Sequence, residues 1–141
     1  MREKQNTSRN VTMAKHGLLE ESVWKYKLRG YPISLVCSIR ERLLKKIPDI
    51  TEKFNKNSRY FGYWVGEEKD RAYIYVQKKN LRIDLCISRA FEPDIRKDGF
   101  EIRYSHNFQG RADWLTGWQV PHSSNKVETI VKWLCKAFEG D

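Results

Sequence analysis

The sequence lacks the patterns that identify an enzyme of a known class. It has no glycine-rich phosphate loop and no dinucleotide-binding fingerprint. Its three histidines, His16, His106 and His122, are scattered and have no carboxylate cluster beside them, so no metal site is expected. We therefore expect no cofactor, and a binding role is favoured over an enzymatic one.

Cysteine is also scarce. Cys37, Cys86 and Cys135 are odd in number, widely spaced and without any C-x-x-C pair. Each lies in a segment with an apolar pattern. This predicts reduced, buried thiols of an intracellular protein rather than a disulfide framework or a zinc site.

Long hydrophobic runs are missing as well. No stretch approaches the roughly 18 apolar residues that a membrane span needs, and the N-terminus shows no apolar signal segment. The 141 residues are 40% hydrophobic and 32% charged. We expect one domain with a charged surface, located in the cytoplasm and not associated with a membrane.

Positive charge is what the chain has in excess, with a formal net charge of +9. Residues 1–16 hold four basic and one acidic residue, and residues 17–53 hold eight and five, so these two segments carry +3 each. Such a balance attracts nucleic acid or another polyanion. A basic tail followed by solvated helix faces would give the same totals.

The chain divides into a tail and one domain. Residues 1–15 have few apolar residues and no periodicity, which predicts a disordered basic tail carrying Arg2, Lys4, Arg9 and Lys15. Residues 16–141 then form a single domain.

Apolar residues at helical spacing predict a short helix over 18–28, a longer one over 32–47 and a final one after Asn125. Alternating residues predict strands over 58–65, 71–76, 81–88, 100–105 and 114–120. The predicted fold is α+β: an antiparallel sheet of four to five strands, with N-terminal and C-terminal helices packed on one face.

The stretch YIYVQKKNLRIDLCIS (73–88) predicts a hairpin whose buried face depends on its loop. A three-residue loop at 78–80 would turn the tyrosines into the core. A two-residue loop at Lys79–Asn80 would pair Val76 with Ile83, and we favour it because aliphatic residues then face each other. It leaves a second face formed by Tyr73, Tyr75, Gln77, Arg82, Asp84 and Cys86.

Two further surfaces are candidates for binding an anion. Arg42, Lys45 and Lys46 form a basic strip on the second helix that a phosphate backbone could contact. Arg111 lies in a polar loop, beside the amides around Gly110. The face with Tyr73, Tyr75 and Arg82 could stack bases, or receive a protein partner or a second copy of the chain in a homo-oligomer.

The segment PDIRKDGFEIR (93–103) partly matches the Asp, Glu-x-Lys pattern of metal-dependent nucleases. Asp94 and Glu101 fit, but Arg103 replaces the lysine, and Asp94 is expected in a loop. His106, also expected in a loop, is a candidate general base. A metal-dependent hydrolase or nuclease built on these three residues is the least favoured hypothesis.

Three segments, YIYVQKKNLRIDLCI (73–87), EPDIRKD (92–98) and VETIVKWLCKAFEG (127–140), resemble the DUF5655 domains over about residues 33–140. The resemblance implies a compact α+β fold and brings no reaction, cofactor or catalytic residue. Such domains often end larger proteins that look DNA- or nuclease-related, whereas here the domain follows a basic tail.

The leading hypothesis is therefore a small intracellular, non-enzymatic module that binds nucleic acid or another polyanion. The alternative is a protein-protein interaction domain that uses the aromatic sheet face.

Overall fold

The structure is a computed structural model that describes residues 6–7, 11–14, 17–66, 71–107 and 114–139. Its centre is one antiparallel sheet. Its strand order is β1-β2-β3-β4-β5-β6-β8-β7, so only the last two strands depart from chain order. The strands are β1 (Asn6–Thr7), β2 (Val11–Ala14), β3 (Ile50–Asn55), β4 (Tyr60–Val65), β5 (Ala72–Val76), β6 (Asn80–Ile87), β7 (Ile102–Asn107) and β8 (Trp114–Pro121).

Four α-helices accompany the sheet in the described part of the chain. The longest, α2 (Ser34–Lys46), starts just after Pro32 and ends just before Pro48, because proline suits a helix start and disfavours helix in the residue before it. None of the helices among the described residues is long and apolar enough to cross a membrane. The others are α1 (Glu21–Trp24), α3 (Glu92–Lys97) and α4 (Val127–Lys136).

One side of the sheet and the helices α2 and α4 share a single hydrophobic core. Burying an aliphatic or aromatic side chain contributes about 1.5–3 kcal/mol, so this core is the main stabilising feature. Its fully buried members include Ile39, Phe61, Ile74, Ile83, Trp118 and Leu134.

The α+β class and the antiparallel sheet are confirmed, but the predicted count of four to five strands is wrong. Within the described residues, the sheet has seven strands of four or more residues besides the two-residue β1. The missed strand β3 turns Ile50, Glu52 and Phe54 toward the core. A glutamate at a core position hides the alternation that would otherwise predict this strand.

The prediction of a disordered tail is wrong for the parts of residues 1–15 that are described. Val11–Ala14 pairs with β3, and Asn6–Thr7 pairs with β2. Thr12 and Ala14 are buried, so the neighbouring strand supplies the partners that make a four-residue strand stable. Arg2, Lys4, Arg9 and Lys15 lie outside the described residues.

The β5–β6 hairpin turns at 78–79, since the backbone N–H of Gln77 donates to the carbonyl oxygen of Asn80 at 3.0 Å. Val76 pairs with Leu81, so the predicted loop at Lys79–Asn80 is wrong and the register is shifted by two residues. Because side chains alternate with a period of two, this shift preserves the faces. The prediction that the tyrosines and the aliphatic residues lie on opposite faces of the hairpin is confirmed.

Candidate functional site

The sheet side opposite the core carries a continuous chain of rings and cations. The Tyr60 ring lies 4.9 Å from that of Tyr75 and 5.6 Å from that of Tyr73, between ring centres. The Arg82 guanidinium lies 4.0 Å from the centre of the Tyr75 ring. We call this surface the tyrosine face, and it consists of Lys53, Tyr60, Tyr73, Tyr75, Arg82 and Tyr104.

Strand pairing places these side chains beside one another. Tyr60 is directly opposite Tyr75, and Tyr75 is directly opposite Arg82. Directly paired residues have Cβ atoms about 4.5–5.5 Å apart, so their side chains contact each other. The tyrosine face therefore follows from the register of β4, β5 and β6.

Two glycines within strands allow the series of rings and cations to extend at both of its ends. Gly62 lies beneath Lys53, whose Cε would be 2.9 Å from an added Cβ, and Lys53 Nζ reaches to 5.8 Å from the Tyr60 ring. Gly117 lies beneath the Tyr104 ring, whose Cζ would be 2.2 Å from an added Cβ. The missing side chains let Lys53 and Tyr104 lie flat across the sheet.

Arg82 is held by a buried carboxylate. Its Nε and Nη2 donate to the two oxygens of Asp84 at 3.3 and 3.1 Å, and the Asp84 side chain is 2% exposed. Although burial opposes its charge, the hydrogen bonds and the charge of Asp84 raise the pKa of Arg82. This guanidinium is therefore a fixed, permanent cation.

Tyr104 completes the same cluster, because its hydroxyl also donates to Asp84. Burial, followed by the bond to Asp84 and its charge, raises the pKa of Tyr104. The phenol consequently stays protonated at neutral pH. Its ring lies 5.5 Å from the Arg82 guanidinium, between the ring centre and Cζ.

The tyrosine face is accessible. Tyr60, Tyr73, Tyr75 and Tyr104 are half-buried and take no part in the hydrophobic core. The Arg82 side chain is 33% exposed. A ligand could therefore contact both the rings and the outer edge of the guanidinium.

The predicted basic strip is exposed on α2 and is not part of the tyrosine face. Arg42 Nε is 2.9 Å from Glu128 Oε1, so part of the charge of the strip is balanced. Lys45 and Lys46 are exposed on α2, whose apolar residues belong to the core, whereas Tyr75 lies outside that core. Arg111 lies outside the described residues.

The structure does not bring the hydrolase candidates together. Asp94 lies in α3 and His106 in β7, so the prediction that both lie in loops is wrong. Pro93 lies in the first turn of a short helix, and β7 continues to Asn107. Glu101 is exposed just before β7. Among the described residues, no three or more His, Cys, Asp or Glu side chains are placed to hold a metal ion.

The cysteines are free thiols. Cys86 is buried as predicted, whereas Cys37 and Cys135 are only half-buried, so that prediction is wrong for these two. Burial raises the pKa of both half-buried thiols. Because the thiolate is the reactive form, neither is activated as a nucleophile.

A second polar cluster lies inside the core. The Glu52 carboxylate, fully buried on β3, accepts hydrogen bonds from Arg40 Nε at 2.8 Å and Nη2 at 2.7 Å, and from the Tyr63 hydroxyl at 2.5 Å. It also accepts one from the backbone N–H of Leu19 at 2.8 Å. These bonds tie α2 and the segment before α1 to the sheet, so we assign this cluster a structural role.

The sequence predicted that Tyr73, Tyr75 and Arg82 share one sheet face, but it did not predict that Lys53 and Tyr104 join them. Lys53 lies on the strand that was not predicted. Tyr104 lies on a predicted strand, yet its place on the tyrosine face depends on a bulge between Ile102 and Tyr104 and on its pairing with Gly117. The alternation in FEIRYS (100–105) was the only available signal for it.

The fold and this surface define an antiparallel α+β protein with an aromatic, cationic sheet face. No protein-family model, curated protein or solved structure matches the chain. The resemblance to the DUF5655 domains stays a prediction.

Proposed function

We propose that this protein is a non-enzymatic module that binds single-stranded nucleic acid on the tyrosine face. The observation that carries the proposal is the unbroken contact chain from Lys53 through Tyr60 and Tyr75 to Arg82 and Tyr104. Rings combined with cations suit a single strand, since rings stack on bases and cations attract phosphates.

Single strands are favoured over duplexes because the rings need exposed base faces, which a duplex hides. Lys53 on β3 and Tyr104 on β7 are separated by five strand spacings, or roughly 24 Å. A surface of this width can contact several nucleotides, in keeping with site sizes of roughly 4–16 nucleotides for comparable sheet surfaces.

Charge supports the same ligand. Asp84, a carboxylate in contact with the tyrosine face, already accepts bonds from Arg82 and Tyr104. The chain as a whole carries +9. A negatively charged strand is therefore attracted both by the local cations and by the overall field.

We also infer that the helices cover only the aliphatic side, since α2 and α4 share their core with that side. The module would act inside the cell, and the DUF5655 resemblance would reflect a common fold. Lys45 and Lys46 would then serve as secondary contacts for a longer polyanion that passes around the sheet edge.

The experiment measures binding of a fluorescently labelled oligouridine of roughly ten nucleotides by anisotropy at several salt concentrations. Tyr75→Ala is expected to weaken binding about tenfold, because one stacking contact contributes roughly 1–3 kcal/mol. Tyr26→Ala is the matched control, since Tyr26 is an exposed tyrosine (49%) outside the tyrosine face. Lys53→Gln is expected to reduce the salt slope by about 0.7.

Three results would overturn the proposal. The first is no binding to any oligonucleotide at low salt. The second is binding that Tyr75→Ala leaves unchanged while substitution of Lys45 and Lys46 abolishes it, which would move the site to α2. The third is salt-insensitive self-association on a sizing column that Tyr75→Ala disrupts, which would indicate a protein-interaction surface instead.

A further inference from the structure

A groove of about 340 Å³ opens at the hairpin end of the tyrosine face. Three neighbouring strands, β6, β8 and β7, contribute to it together with Gln77, which directly follows β5. Its volume is near the lower limit of small-molecule sites, so it suits a single ring system. It is lined by Gln77, Arg82, Arg103, Tyr104 and Gln119.

Arg82 forms a rigid inner wall of the groove. Asp84 binds its Nε and Nη2, and Tyr75 covers one face of the guanidinium. The planar group has five N–H bonds, so those that Asp84 does not accept remain available along its outer edge. Their direction is fixed before any ligand arrives, which lowers the entropic cost of binding.

Arg103 supplies the opposite wall. It lies at the bulge between Ile102 and Tyr104, and bulges of this kind redirect a side chain relative to its strand. Arg103 is exposed and forms no ion pair with any residue in the described part of the chain. Its guanidinium is therefore ready to donate two parallel hydrogen bonds.

The remaining wall is polar and only partly satisfied. Gln119 Nε2 donates to Gln77 Oε1 at 3.2 Å, which fixes both amides and leaves the N–H bonds of Gln77 and one of Gln119 for a ligand. Together with the arginines, the groove presents mostly hydrogen-bond donors. Its ligand should therefore present acceptors.

We propose that this groove reads one guanine of the bound strand, an inference that rests on the proposed function and adds base selectivity to it. Guanine presents the acceptors O6 and N7 side by side, and arginine donates to both in the commonest base-specific contact. Adenine presents a donor beside N7, and cytosine presents a donor amine. Arg103 makes the paired contact, and Arg82 with Tyr104 positions the ring.

The test compares wild-type binding to oligouridines of equal length that carry a single central guanine, adenine or cytosine. Guanine is expected to bind roughly tenfold more tightly than the others, since one paired contact discriminates by about 1–3 kcal/mol. Arg103→Lys is the diagnostic variant, because it keeps the charge and loses the paired donors. It should remove the guanine preference while affinity for plain oligouridine stays within about threefold.

Arg96→Lys is the matched control, since Arg96 is exposed on α3 and does not line the groove. If wild-type protein binds no oligonucleotide, the proposed function itself fails. If it binds all bases equally, or if Arg103→Lys keeps the preference, only the guanine inference fails. A preference for adenine would also overturn it and would assign base reading to the glutamine pair.

Discussion

Replacing Glu52 by glutamine should lower the free energy of unfolding by roughly 3–5 kcal/mol, the usual cost of breaking a buried ion pair from one side. Glu52 is fully buried, and its oxygens accept hydrogen bonds from Arg40, Tyr63 and the Leu19 backbone at 2.5–2.8 Å. Glutamine keeps the shape but converts one acceptor into a donor that faces existing donors. It also leaves the guanidinium of Arg40, whose side chain is 6% exposed, without a counter-charge.

Summing all four bonds to Glu52 would overestimate the effect. A hydrogen bond to a charged group contributes about 1.5–3 kcal/mol, but glutamine retains the acceptor on one oxygen, so about half of the four bonds are lost. Two such bonds give roughly 3–6 kcal/mol, in agreement with the range for buried pairs. Small domains have total stabilities of about 5–15 kcal/mol, so Glu52→Gln should remain folded and measurable.

Urea unfolding followed by circular dichroism measures this change, with Glu128→Gln as the matched control. The Arg42–Glu128 pair is exposed, at 45% and 69%, and should contribute no more than about 1 kcal/mol. The double variant Arg40→Met with Glu52→Leu should be more stable than Glu52→Gln, because it removes both buried charges together. If Glu52→Gln lowers the free energy of unfolding by no more than Glu128→Gln does, the stabilising role of the buried Arg40–Glu52 pair is refuted.

Two further outcomes are expected. Gly117→Ala would place a Cβ 2.2 Å from the Tyr104 ring, so it should displace that ring, destabilise the fold by about 1–3 kcal/mol and weaken oligonucleotide binding; unchanged melting and binding would contradict this. Burial, followed by the charge of Glu52, raises the pKa of Tyr63. The contribution of Tyr63 to the free energy of unfolding is therefore fully present below the pKa of an unfolded tyrosine, about 10, and it decreases as the pH rises above that value. Urea midpoints at increasing alkaline pH measure that fall, and Tyr63→Phe should make it shallower.

Periodicity predicted most of the fold where the buried residues are apolar. Alternation located β4, β5, β6, β7 and β8 to within a few residues, and prolines located the ends of α2. It failed where a charge occupies a core position, because Glu52 in β3 can be buried only with Arg40, which lies on a helix twelve residues earlier. A pairing between distant positions leaves no local pattern.

The tyrosine face was predictable only within the hairpin. Tyr73, Tyr75 and Arg82 alternate on adjacent strands, so either of two registers that differ by two residues puts them on one face. Lys53 and Tyr104 lie on strands outside the hairpin. Their positions depend on which residue of the neighbouring strand each one is paired with. Sequence alone gives no measure of that pairing.

The two glycines that lie beneath Lys53 and Tyr104 support a binding role for the tyrosine face, rather than that of a solvated sheet surface. Glycine inside a strand costs roughly 0.5–1 kcal/mol relative to alanine and provides no packing. Gly62 and Gly117 both occupy interior strand positions, and each lies beneath a side chain that joins the ring-cation chain. Asp84 does not by itself require Tyr104, because Arg82 already binds both of its oxygens. Gly117 therefore lets the Tyr104 ring lie flat against the sheet at the wall of the groove, where the proposed function would use it to stack a base.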